Sequence, residues 1–225
     1  MSIHNLIYLF ISSFITLFPV INPVGSGFIV NGFLGELDAE QRKSVIRRIV
    51  INCLLVGIGS LVVGHFVLLL FGLAIPVIQV GGGIIICKTG WEFLSDAGTT
   101  NDYQDKQKTI SKVSIDDIEK KLFYPIAFPI SLGPGSISVI FTLMATASEK
   151  GSLLHTGINY AIISLVIVVM MLILKLFLVA GPRIMQKLGK TGNIVINKLI
   201  AFITFCIGIQ IIFTGIGKIF HIDIL

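Results

Sequence analysis

Two short segments concentrate the residue types that could do chemistry in this chain. One reads Phe18-Pro19-Val20-Ile21-Asn22-Pro23-Val24-Gly25-Ser26, the other Phe128-Pro129-Ile130-Ser131-Leu132-Gly133-Pro134-Gly135-Ser136. Each opens on Phe-Pro, has a second proline four or five residues on, and ends in Gly-Ser at the same offset from the first proline. Proline removes an amide donor and clashes with the preceding turn, and glycine costs about 1 kcal/mol relative to alanine inside a helix. Both segments sit within long apolar runs, so a helix through either should stop and restart.

The restart has chemical consequences. Pro23 and Pro134 suit the first turn of a helix, where no amide donor is needed, so half-helices are expected to begin just after Asn22 and Gly133. Such an end carries unpaired N–H groups and roughly half a positive charge, a seat for a carboxylate. Unwound carbonyls near Pro19–Ile21 and Pro129–Leu132 could accept hydrogen bonds from an ammonium. Asn22, Ser26, Ser131, Ser136 and Ser138 add small neutral donors and acceptors, while Gly25, Gly27 and Gly135 let a ligand approach the backbone. The candidate binding residues are therefore Asn22, Pro23, Gly25, Ser26, Ser131, Gly133, Pro134, Gly135 and Ser136. Neutral side chains beside exposed backbone suit a small zwitterion and offer no counter-ion to a charged side chain.

What must position these segments is set by composition. Hydrophobic residues make up 54% of the 225 and charged residues 13%, about half of the ~25% usual in soluble domains. The apolar residues fall in six runs, Leu6–Phe33, Ile46–Phe71, Ala74–Leu94, Phe123–Ala147, His155–Ala180 and Ile194–Phe220. Runs of about 20 residues cross a hydrocarbon core as helices, which satisfy their own backbone in lipid. The expected fold is an all-α membrane protein of six transmembrane helices. Residues before Leu6 contain no Lys or Arg and no cleavage-site pattern ends the first run, so it is expected to stay in the mature protein.

Charge gives the orientation. Thirteen basic residues lie in the first, third and fifth loops (Arg42, Lys43, Arg47, Arg48; Lys106, Lys108, Lys112, Lys120, Lys121; Arg183, Lys187, Lys190, Lys198), against Lys150 and Lys218 on the other side. By the positive-inside rule these loops are cytoplasmic and both termini extracytoplasmic. Re-entrant hairpins at the two proline segments would divide the same residues 11 against 4, a weaker asymmetry. The net charge of +5 thus reports orientation; no basic and aromatic stripe suits nucleic acid. Lys88 and Lys175 fall near cytoplasmic helix ends and can snorkel, Lys88 with Glu92 one turn on and Trp91 beside it.

Three spans form each half, an odd number, so the second half starts from the opposite side. Residues 1–94 make a first three-helix repeat and 122–225 a second, inverted one, joined by a polar cytoplasmic linker at 95–121. Helices 1 and 4 are then broken near the midplane, entering from opposite directions. Interruptions at corresponding positions of two halves point to the binding site of a transporter working by alternating access. The run Gly81-Gly82-Gly83 reads as helix packing that lets the broken segment come close.

Other chemistries fare worse. No Asp or Glu lies near the centre of a span, and His65 is the one histidine well inside. A proton relay or an intramembrane hydrolase would need more, since His65 and Ser131 are the only pair available and nothing in their spacing joins them. Cys53, Cys87 and Cys206 lie in apolar runs without metal-ligand spacing. No enzyme activity, cofactor or metal is expected. The expected partners are lipid, a small solute and a coupling ion, Na⁺ or H⁺, with homo-oligomerisation open. A membrane assembly or stress-response component without transport is the alternative, and it would leave the paired breaks unexplained.

Asn22-Pro23-Val24-Gly25, matched by Pro129 and Gly133-Pro134-Gly135, resembles the MarC family of bacterial inner-membrane proteins, as do the six-span layout and the glycine-rich third span. The resemblance covers essentially the whole chain. It implies a multi-pass protein of the bacterial cytoplasmic membrane, within a broader group of amino-acid exporters that includes the lysine exporters. Some relatives are described as transporters of small neutral amino acids such as glycine and alanine. The family name refers to multiple antibiotic resistance, and nothing in these residues shows drug binding.

Overall fold

The computed structural model describes residues 3–34, 37–95, 122–147 and 153–220, and these are helical with no strand among them. The elements are α1 (Ile3–Ile21), α2 (Pro23–Phe33), α3 (Ala39–Phe71), α4 (Ile75–Ser95), α5 (Leu122–Ser131), α6 (Pro134–Ala147) and α7 (Leu153–Phe220). The linker expected at 95–121 lies, after Ser95, outside the described residues.

Four helical stretches are long and apolar enough to cross a membrane: Ile3–Ile21, Ala39–Gly64, Leu154–Ile184 and Ile194–Phe220. In α4 the apolar run is diluted by four glycines, Gln79, Lys88 and Glu92, and α6 is short at 14 residues. The outer surfaces are apolar, with Ile7, Leu55, Phe66, Leu165, Leu176, Phe202 and Phe213 all exposed. In a soluble protein so many exposed large side chains would be anomalous; against lipid they are the expected solvent face.

Helix ends depart from hydropathy where local capping decides. The second helix starts at Ala39, not Ile46, because Asp38 and Gln41 form a reciprocal cap. The Gln41 amide donates to Asp38 Oδ1 at 2.8 Å and the Asp38 amide to Gln41 Oε1 at 3.2 Å. Arg42, Lys43, Arg47 and Arg48 therefore sit on the first turns of α3 and not in a loop. Likewise Arg183 and Lys187 belong to α7, whose one non-helical residue is Gly189 (φ 65°, ψ −179°). Gly189 divides α7 into an N-terminal and a C-terminal arm.

Glycines bring the helices together. α4 and the C-terminal arm of α7 run antiparallel: Pro76 meets Gly215, Gly83 meets Gly208, and Gly90 meets Phe205. A methyl group at Gly83 would stand 2.8 Å from the Gly208 carbonyl oxygen, and one at Gly90 2.7 Å from the Phe205 nitrogen. Lys198 closes the seam by donating to the carbonyls of Phe93 and Leu94 at 3.0 and 2.7 Å, capping the end of α4. Gly82 lies directly against Ser138 of α6, the close approach expected of the glycine run. Lys88 pairs with Glu92 at 3.8 Å on the outer face, where both are exposed.

Candidate functional site

The two proline segments meet in the core, and both are broken. In the first, α1 continues through Pro19 to Ile21, and the interruption is one residue, Asn22, in the left-handed region (φ 46°, ψ 63°). Asparagine tolerates that region better than most residues. Its side chain caps α2, with Oδ1 accepting from the Gly25 amide at 2.9 Å, and it occupies the space above Gly25. The expected unwinding of Pro19–Ile21 does not occur, because an internal proline disturbs the turn before it without ending the helix.

The second segment is less regular. Tyr124 (φ −121°, ψ 124°) and Phe128 (φ −129°, ψ 124°) are extended. Each precedes a proline, Pro125 or Pro129, whose ring disfavours the helical conformation one residue earlier. The Leu132 amide reaches back five residues to the Ala127 carbonyl at 3.0 Å, and α6 starts at Pro134. Both half-helices thus begin where expected, after Asn22 and after Gly133.

Prolines orphan carbonyls four residues upstream, and distant side chains take them up. Pro23 has no N–H for the Pro19 carbonyl, which accepts from Thr204 Oγ1 at 2.9 Å. Pro134 has none for the Ile130 carbonyl, which accepts from Ser26 Oγ at 3.0 Å. Pro182 has none for the Leu178 carbonyl, which accepts from Arg42 at 3.1 Å. An unmet buried carbonyl costs about 1–3 kcal/mol, so these contacts are obligatory closures.

Two of the contacts are reciprocal. Ser26 donates to the Ile130 carbonyl, and Ser136 Oγ lies 3.5 Å from the Val20 carbonyl. Ser26 and Ser136 are 110 residues apart, as are Val20 and Ile130. Each break therefore reaches the other through the same side chain and the same carbonyl. Ser26 Oγ is also 3.1 Å from the Ile21 carbonyl, so its one proton has two acceptors within reach. Ser131 Oγ turns back on the Ile126 carbonyl at 2.9 Å, and Ser138 Oγ donates to the Ile78 carbonyl of α4 at 3.1 Å.

Burial is nearly complete. Ser26, Ser131 and Ser136 are 5%, 1% and 2% exposed, and Pro23, Gly25 and Gly135 are buried. Asn22 and Gly133 are partly buried and Pro134 exposed. The close approach assigned to glycine is used by protein atoms: Asn22 over Gly25, Phe177 over Gly27 and Ile86 over Gly135. Of the carbonyls expected to receive an ammonium, that of Pro19 accepts from Thr204, that of Val20 from Ser136, and those of Ile21 and Ile130 lie within reach of Ser26.

A second polar cluster fastens α2 to α3 and α7. Asn31 Nδ2 donates to the Phe177 carbonyl at 3.1 Å, and Arg42 reaches Asn31 Oδ1, the Leu34 carbonyl at 3.4 Å and the Leu178 carbonyl. Sequence reasoning missed Asn31, Thr204 and Gln79. The available signal was a polar residue inside an apolar run, since such residues are retained where they have work to do. The side chain of His65, and with it the pairing with Ser131 considered from sequence, lies outside the described residues.

Apolar exteriors, stacked spans and a buried polar break together define a multi-pass integral membrane protein. The model of the MarC family integral membrane proteins matches residues 7–220, and the chain belongs to that family. It is 27% identical over 218 residues to a UPF0056 membrane protein of Methanocaldococcus jannaschii, covering 96% of this chain and 90% of that one. A UPF0056 membrane protein of Pyrococcus abyssi is 26% identical over 93% of this chain and 94% of its own. The UPF0056 inner membrane protein MarC of Salmonella paratyphi A is 25% identical over 91% and 92%. No solved structure matches.

Proposed function

We propose that the chain is a secondary transporter of small neutral amino acids or similar small zwitterions, working by alternating access around the two breaks. The observation that carries this is the reciprocal pair, Ser26 on the Ile130 carbonyl and Ser136 on the Val20 carbonyl. Six spans follow: α1 with α2, α3, α4, α5 with α6, and the two arms of α7. They divide into inverted three-helix halves, 1–94 and 122–225, and the equal 110-residue offset across the pair supports that division. The basic loops favour both termini outside a bacterial inner membrane, the location named for the Salmonella relative. A periplasm-active reporter fused at the C-terminus that stays inactive overturns this orientation.

The serine hydroxyls explain how a sealed hub could accept a zwitterion. In the closed form each spends its proton on a carbonyl of the opposite break. When a solute enters, the hydroxyl rotates to the solute carboxylate, close to the α2 or α6 N-terminus, where the helix dipole favours negative charge. The carbonyl it leaves is then free to accept from the solute ammonium. One exchange supplies both a donor and an acceptor, so the hub is never left with buried unpaired groups. Small size is required, because Asn22, Ile86 and Phe177 already fill the glycine gaps. Coupling to Na⁺ or H⁺ completes the reading, which assigns no catalytic step.

Purified protein in liposomes should take up labelled alanine, glycine or serine under an ion gradient. Gly135→Leu, which forces a side chain against Ile86 at 3.0 Å, should abolish uptake while the protein still inserts. Absence of flux for all three solutes under Na⁺ and H⁺ gradients contradicts the substrate class.

A further inference from the structure

α4 turns one stripe inward, Gln79, Gly82, Gly83, Ile86 and Gly90. It holds a single polar side chain. Gln79 is 2% exposed, yet its Oε1 makes no hydrogen bond. An unpartnered buried amide is costly, and a close-packed native core does not keep one without a use. Ser13 Oγ, Thr142 Oγ1, Asn159 Oδ1 and Asn197 Oδ1 are likewise buried without a partner among the described residues; on the inward stripe of α4, Gln79 Oε1 is the one such atom.

Its position links it to the breaks. The neighbouring Ile78 carbonyl accepts from Ser138, in the first turns of α6, at 3.1 Å. Gly82, one turn on, lies against the same serine, and Ile86, a further turn on, packs on Gly135. Gln79 thus stands on the inward face of α4, roughly 10 Å along the helix from the second break. Gly82, Gly83 and then Ile86 separate it from the break on that stripe. Beside it, a methyl group at Gly215 of the C-terminal arm of α7 would stand 3.0 Å from Gln79 Cβ, so the close approach of that arm holds the stem while the amide remains unengaged.

We infer that Gln79 is a second contact for the transported solute, with Oε1 accepting from its primary ammonium on the side of the hub where α4 meets α6 and the C-terminal arm of α7. This rests on the transporter reading and deepens it. A neutral amide carbonyl suits an ammonium, since a hydrogen bond to a charged group is among the stronger neutral–ion contacts and needs no deprotonation. The buried stripe of glycines between Gln79 and Gly135 gives a small zwitterion room to pass once the helices part, but no room for a bulky one.

The test uses the full-length protein in detergent and in liposomes, with alanine, propionate (no ammonium) and Na⁺ as separate probes. Wild type, Gln79→Leu, Gln79→Asn and Gly81→Ala, a lipid-side control, are compared by thermal shift and flux. In Gln79→Leu, alanine affinity should fall about ten- to a hundred-fold. Propionate binding and the Na⁺ response should be unchanged, and the ligand-free Tm should equal or exceed wild type because an unmet amide has been removed. Unchanged alanine affinity in Gln79→Leu, or a loss confined to the Na⁺ response, overturns the assignment. A ligand-free Tm well below wild type overturns it also, since the amide would then have a structural partner. Wild type silent to alanine, glycine and serine fails the transporter reading itself, and this contact with it.

Discussion

At the scale of single residues, the hub depends on side chains that close gaps opened by proline. Asn22 carries two burdens, a left-handed backbone and the cap on the Gly25 amide. Asn22→Ala loses both and should destabilise the protein by about 1–3 kcal/mol. Asn22→Gly keeps the backbone freedom and should cost only a few tenths. Denaturant unfolding in detergent separates the two; equal losses would mean the left-handed backbone contributes nothing. The proline and asparagine pattern was readable from sequence because these residues act locally. The partners were not: Thr204 closes the Pro19 carbonyl from 185 residues away, and no local rule announces that pairing. Gln79 could have been flagged as a lone amide inside an apolar run, although its unmet oxygen is a property of the packed fold.

At the scale of elements, the small-residue seam between α4 and the C-terminal arm of α7 sets how close the helices stand. The three glycines of the run Gly81-Gly82-Gly83 on α4 differ in what surrounds them. Gly81 faces outward with nothing within 4 Å, whereas a methyl at Gly83 meets the Gly208 carbonyl oxygen at 2.8 Å. Gly81→Ala should therefore stabilise by roughly 0.5–1 kcal/mol through helix propensity. Gly83→Ala should destabilise by about 1–3 kcal/mol through overpacking. Thermal unfolding of the two variants checks this, and the opposite order would place the seam elsewhere. Sequence reading recognised the glycine run as packing and expected an all-α chain, as the described residues are. Its error lay at helix ends, where hydropathy sees the membrane but not the cap. Asp38-Ala39-Glu40-Gln41 carries the capping pattern in plain view, and it draws α3 seven residues past the apolar boundary.

At the scale of the whole molecule, membrane character follows from composition, and the breaks follow from proline placement. That the breaks touch each other follows from neither. Contact between residues 104 and 116 positions apart is what turns two kinked spans into one hub, and the proposed carrier mechanism rests on it. The pair is symmetric in sequence and unequal in length, 3.0 Å for Ser26 and 3.5 Å for Ser136. Ser26→Ala should thus leave two carbonyls, Ile21 and Ile130, without their hydroxyl, and cost more stability than Ser136→Ala, by about 1 kcal/mol.

The most direct measurement is counterflow in proteoliposomes preloaded with unlabelled alanine and diluted into labelled alanine. Exchange of this kind needs a site that faces each side in turn and needs no knowledge of the coupling ion. Saturable accumulation of label in wild type, lost in the Ser26→Ala, Ser136→Ala double variant while the protein remains folded and inserted, is the expected result. Undiminished exchange in the double variant would remove the serine pair from the mechanism; no exchange in wild type with alanine, glycine or serine would contradict a small-amino-acid carrier altogether.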